Sequence, residues 1–141
     1  MKSIAVFLLA VLALVSLPMS TLAKGVRLGD EFMMRIGQVV KVNGTHLRIE
    51  FVDVVEDSRC PSDVECGWAG NAALNLELKW KGRQPNSVLV NTTSGPAQAE
   101  FRRFIVKLIR LEPNRVTGQT IDKADYVATL MVIEDINPDE E

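Results

Sequence analysis

Leu74-Asn75-Leu76-Glu77-Leu78-Lys79-Trp80-Lys81 carries an apolar side chain at every even position and a polar one at every odd position. Successive side chains of an extended chain point to opposite faces, so this segment reads as a strand with one face on a core and one in water. His46-Leu47-Arg48-Ile49-Glu50-Phe51 alternates in the same way, and Val39–Val42 precedes it. Asn43-Gly44 lies between these two runs, and both residues tolerate the positive φ of a two-residue type I′ hairpin turn.

Working outward, Phe32–Ile36, Ser87–Asn91, Phe104–Leu111 and Tyr126–Ile133 are further strands. Residues 81–86, 93–96 and 113–114 carry the Gly, Pro, Asn and Ser of loops, and residues 97–104 are expected to hold a short helical turn. About seven short strands without a long helix predict an all-β domain. The expected architecture is an antiparallel two-sheet sandwich, or a partly open barrel, with one short disulfide loop.

The two ends read differently. Lys2 is followed by an apolar run over Ile4–Leu17, then Pro18 and a small-residue stretch ending Thr21-Leu22-Ala23. A run of about 14 residues is short of the roughly 20 needed to span a bilayer. The pattern predicts a signal peptide over residues 1–23, cleaved after Ala23. A β-sandwich domain is expected over 24–134 and an acidic tail over 135–141. No second long apolar segment follows, so no membrane span is expected after cleavage. The mature 118 residues carry 15 bases and 18 acids, a charge of −3. That mild acidity provides no electrostatic reason to bind nucleic acid or anionic lipid.

Glu56 to Ala72 is the least generic segment. It holds both cysteines of the chain, Cys60 and Cys66. Outside a reducing cytosol they have only each other to pair with, which predicts a structural disulfide. A ring this small contributes only ~2–2.5 kcal/mol in the chain-entropy model, so it is expected to shape a loop more than to hold the domain. The spacing is too wide for a Cys-x-x-Cys redox pair. With only distant His46 in addition, the set is too small for a four-ligand zinc site, and no metal or other cofactor is expected.

Asp53, Glu56, Asp57, Asp63 and Glu65 crowd the same region without the Asp-x-Asp-x-Asp-Gly spacing of a calcium loop. Turn and cap chemistry at Asp57 and Ser58, with Arg59 pairing an acid, accounts for them more simply. Trp68 sits among Gly67, Ala69 and Gly70 and is expected to pack over the disulfide, the alternative being an exposed anchor for a partner.

Glu56-Asp57-Ser58-Arg59-Cys60-Pro61, followed by Cys66-x-Trp68-Ala69-Gly70-x-Ala72, resembles the signature of small uncharacterised secreted or lipid-anchored bacterial proteins. Leu28-Gly29-x-Glu31-Phe32, Gly37-Gln38 and Asp125-Tyr126-x-Ala128-Thr129-Leu130 extend the resemblance over most of the mature chain. The resemblance implies a β-sandwich outside the cytoplasm and implies no activity. This chain lacks a lipid-attachment cysteine, which points to a free periplasmic or extracellular form.

Catalytic signatures are weak. His46, the one histidine, alternates outward, and no Gly-x-Ser-x-Gly turn accompanies it. No catalytic residue is assigned. Asn43-Gly44-Thr45 and Asn91-Thr92-Thr93 match the N-glycosylation pattern but sit where turns are expected. The expected function is that of a non-catalytic secreted or periplasmic binding domain. It would present Asp57, Arg59, Asp63, Glu65 and Trp68 to an envelope or extracellular protein. The alternatives are a small envelope hydrolase using the carboxylates of the Asp53–Glu65 segment, or a calcium-stabilised domain.

Overall fold

A computed structural model describes residues 24–136. The signal peptide expected over 1–23 and the tail beyond residue 136 lie outside the described residues.

The described residues form nine strands in two sheets. The first sheet takes the order β1 (Lys24–Val26), β3 (Val39–Val42), β4 (Leu47–Asp57), β5 (Ala72–Trp80), β6 (Asn86–Asn91). The second takes the order β2 (Glu31–Arg35), β9 (Val127–Glu134), β8 (Phe104–Glu112), β7 (Gln98–Phe101). Every pairing is antiparallel except β1 with β3. The seven expected strands are all present, and β1 and β7 are additional.

The alternation works as the sequence predicts. Leu74, Leu76 and Leu78 of β5 are fully buried, with Leu76 and Leu78 directly opposite Phe51 and Ile49 of β4, Leu74 opposite Val54, and Leu47 opposite Trp80. Met34, Phe104, Val106, Leu130 and Val132 fill the core from the opposite sheet. β4 runs six residues past Phe51, where the alternation fails, because register shifts at two points let it keep pairing with β5 while it bends.

Three local expectations are corrected. Residues 97–104 contain no helical turn. Gln98–Phe101 is β7, joined to β8 by Arg102-Arg103 in a tight hairpin that pairs Phe101 with Phe104. Arg102 takes the left-handed φ of 56° without being glycine. Its guanidinium carbon lies 5.0 Å from the Trp80 ring centroid and 5.9 Å from that of Phe101, contacts that help offset the backbone strain.

The Asn43-Gly44 turn is not type I′. Only Gly44 has positive φ (77°), and four residues separate β3 from β4. The Asn43 backbone N–H instead donates to the Val26 carbonyl at 2.8 Å, which ties the turn to β1. Thr45 N–H closes the turn on the Val42 carbonyl. The third correction, at Trp68, belongs with the loop described below.

Phe51 is fully buried against Leu76 at the centre of the β4–β5 pair. Phe51→Ala is therefore expected to lower the unfolding free energy by roughly 3–5 kcal/mol, read from urea denaturation. A loss below about 1 kcal/mol would contradict this placement.

Candidate functional site

The β4–β5 connection, residues 58–71, contains the Cys60–Cys66 disulfide, with Cα atoms 6.0 Å apart. The two limbs of the connection are laced by backbone bonds: Ser58 N–H to the Asn71 carbonyl at 2.6 Å and Cys60 N–H to the Ala69 carbonyl at 2.9 Å. Gly70 makes that approach possible. Its φ is 67°, and a Cβ there would stand 1.9 Å from the Ser58 carbonyl oxygen. Asn71, itself buried, closes the base of the loop. Its Nδ2 donates to Asn91 Oδ1, and its Oδ1 accepts from the Thr93 and Ser94 backbone N–H groups.

Arg59 anchors the loop to the neighbouring sheet. Its Nε and Nη2 donate to the two Asp57 carboxylate oxygens at 2.8 and 2.7 Å, a bidentate pair. The remaining donors reach the Leu111 carbonyl (2.7 Å) and the Pro113 carbonyl (2.9 Å) at the end of β8. Tyr126 completes the cluster by donating its hydroxyl to Asp57 Oδ2 at 2.9 Å. Arg115 Nη1 donates to the Arg59 carbonyl, and Ser62 N–H donates to the Arg115 carbonyl. Asp63 Oδ1 accepts from the backbone and hydroxyl of Thr117. The first limb of the disulfide loop, residues 59–63, is thereby stitched to the 113–117 segment.

These contacts set the electrostatics. Burial works to raise the Asp57 pKa, but the hydrogen bonds from Arg59 and Tyr126 and the guanidinium charge outweigh it and hold the carboxyl below its ordinary value. Burial and the bond to Asp57 push the Tyr126 hydroxyl up to about 12. At Asp63 the Thr117 backbone N–H leads the contacts that lower the pKa.

The five expected contact residues therefore divide. The side chains of Asp57 and Arg59 are only 8% and 13% exposed, with their charges directed at each other. The reading of Asp57 and Arg59 as a turn-and-pair motif fits this geometry, and their use as docking contacts does not. Asp63, Glu65 and Trp68 stand on the surface. Trp68 does not pack over the disulfide as expected; it is 77% exposed. Gly70, two residues on, serves the backbone approach at Ser58, not the seating of a ring. Val64, in the same ring of chain, is also exposed.

The acids of this region are partnered separately. Asp53 pairs with Lys123 at 2.6 Å, Glu56 accepts from the Ser58 hydroxyl, and Asp63 is held by Thr117. Among the described residues, no group of three or more His, Cys, Asp or Glu side chains is placed to hold a metal ion. A carboxylate hydrolase calls for an acid with a raised pKa; Asp57, the most enclosed acid of the segment, is shifted the other way.

A second constellation was missed in the sequence. Lys41, Arg48 and Lys79 lie side by side across β3, β4 and β5. Together with His46, Trp80 and Lys81 they line a concavity of about 470 Å³. Lys41, Arg48 and Lys79 each read singly as an outward polar position; their adjacency depends on the strand register.

Comparison with known proteins returns no match: no family model fits the chain, and no curated protein or solved structure matches it. Among the described residues no helix is long and apolar enough to cross a membrane.

Two outcomes follow. Arg59→Ala leaves Asp57 enclosed without its cation, which is expected to lower stability by roughly 3–5 kcal/mol. Replacing both cysteines with serine should cost only about 2 kcal/mol. Denaturation in parallel checks the order, and a larger loss from the cysteine pair would refute it.

The pH dependence has two limbs. Asp57 has a depressed folded pKa, so its contribution is present above the unfolded value of about 3.9 and is lost as pH falls through the folded value. Tyr126 has a raised folded pKa, so its contribution is complete below its ordinary 10.0 and is lost as pH rises through about 12. Tyr126→Phe should flatten the alkaline limb of a stability–pH profile and leave an acid limb. An unchanged alkaline limb would remove Tyr126 from the account.

Proposed function

We propose that this is a non-catalytic binding domain of an exported protein, and that it docks a partner protein through the tip of the disulfide loop with Trp68 as the anchor. The observation that carries this reading is an indole 77% exposed on a loop whose base and flank are fixed by Arg59, Asn71 and Gly70. Exposed tryptophan is enriched at binding hot spots. A loop already held in one shape loses little freedom on docking.

The surroundings define the partner's chemistry. Val64 adds apolar surface, while Asp63 and Glu65 place acids beside it. The complementary surface is an apolar pocket with basic side chains at its rim. Export is supported by the signal-like residues 1–23 and by the Cys60–Cys66 bond, which fits an oxidising compartment. The envelope or extracellular space is then where the partner resides.

The test is crosslinking capture from the native envelope, comparing the wild type with Trp68→Ala and Glu65→Lys. Trp68→Ala is expected to reduce capture of a specific partner at least about tenfold, the scale of a hot-spot truncation. Its melting temperature should not change, since the ring packs on little. Capture that is indifferent to both substitutions would defeat the proposal.

A further inference from the structure

The molecule has a second unusual surface, at the opposite end of the β4–β5 ribbon. Lys41 is the direct cross-strand partner of Arg48, and Arg48 is the direct partner of Lys79. Like charges directly opposite across a sheet are destabilising. Lys79 is compensated by Glu50 at 2.6 Å and Glu77 at 3.3 Å. The side chains of Lys41, Arg48 and Lys81 have no ion pair or hydrogen bond among the described residues.

The shape around this row is concave. No acidic residue lines the cavity of about 470 Å³. Trp80 forms part of its wall, and two contacts fix its ring. His46 meets it edge-on at 5.6 Å, and the Arg102 guanidinium carbon lies 5.0 Å from its centroid. A chain of net negative charge has thus collected four Lys and Arg side chains around one hollow, with His46 and Trp80 beside them. An ordinary solvated face intersperses signs; this row aligns one sign in register.

We propose that this cleft binds a doubly charged oxyanion of the phosphate-monoester type. Arg48 presents a planar fork suited to two oxygens of such a group, while Lys41 and Lys81 act as flanking point charges. Bound there, the anion relieves the repulsion built into the Lys41–Arg48–Lys79 row. The phosphate can be carried by a small molecule or by a lipid headgroup, and the experiment separates the two.

Isotope-labelled protein is titrated with inorganic phosphate at constant ionic strength, with chloride as the control. Saturable amide shifts are expected at Lys41, Arg48, Lys81 and Gly82. Arg48→Gln and Lys41→Gln should each weaken binding about tenfold, the equivalent of one charge-assisted contact. Both side chains are exposed and unpaired, so the variants should keep or raise the melting temperature, which guards against a folding artefact.

A second arm uses sedimentation with phosphatidylcholine vesicles, with and without phosphatidic acid. Binding to phosphate alone supports a free phosphorylated compound. Additional, Arg48-dependent binding to the phosphatidic acid vesicles supports a headgroup. Absence of saturable shifts at these amides, or shifts that Arg48→Gln leaves unchanged, would overturn the proposal.

Discussion

The antiparallel pairing of β4 with β5 is the constraint from which the other features follow. It runs from Leu47 opposite Trp80 to Asp57 opposite Ala72 and is the longest ladder in the molecule. Its inner face supplies much of the core. Its connection is the disulfide loop, so the pairing determines where that loop begins and ends. Its other end sets Lys41, Arg48 and Lys79 in one row through the shared register with β3. A slip of one residue along this ladder would turn the leucines of β5 to water and the lysines to the core. Burial of Leu74, Leu76 and Leu78 is therefore also what positions the charges outside.

Stability at the loop end comes from side-chain chemistry more than from the covalent link. The disulfide closes a small ring and restricts few unfolded conformations. Arg59 bridges residues far apart in sequence, joining Asp57 of β4 to the carbonyls of Leu111 and Pro113. Each of its three nitrogens has an acceptor, and the Asp57 carboxylate has a third donor in Tyr126. An enclosed ion pair holds its position when its remaining hydrogen-bonding capacity is met in this way, and is costly to break from one side. The disulfide then shapes a tip whose base is already docked.

Much of this was legible in the sequence, and the limits have physical causes. Period-two alternation is a local signal, and it located seven strands close to their true bounds. It stops at Phe51 in β4 because bulges break the alternation while the ladder continues. β7 was invisible because its turn, Arg102-Arg103, contains no glycine or asparagine; tertiary contacts with Trp80 and Phe101 substitute for turn chemistry. The pairing of Arg59 with an acid was foreseen from adjacency, whereas its bonds to Leu111 and Pro113 join segments more than 50 residues apart. The exposure of Trp68 is not legible because small neighbours suggest room for a ring, when Gly70 is required for the close contact with Ser58. The basic row is a property of register and could not be read from any single strand.

The length of the ribbon also keeps its two ends apart. Ten residue steps at about 3.3 Å each separate the Leu47–Trp80 pair from the Asp57–Ala72 pair by roughly 30 Å. That is several times the screening length of about 8 Å at physiological ionic strength. The exposed acids Asp63 and Glu65 therefore do not neutralise the basic cleft. Substitutions at the two ends share no partner and should act additively. Local charge at each end, rather than the modest net charge of the chain, determines what each surface attracts. Such a separation lets one small sandwich present an exposed indole flanked by acids at one end and a basic hollow at the other.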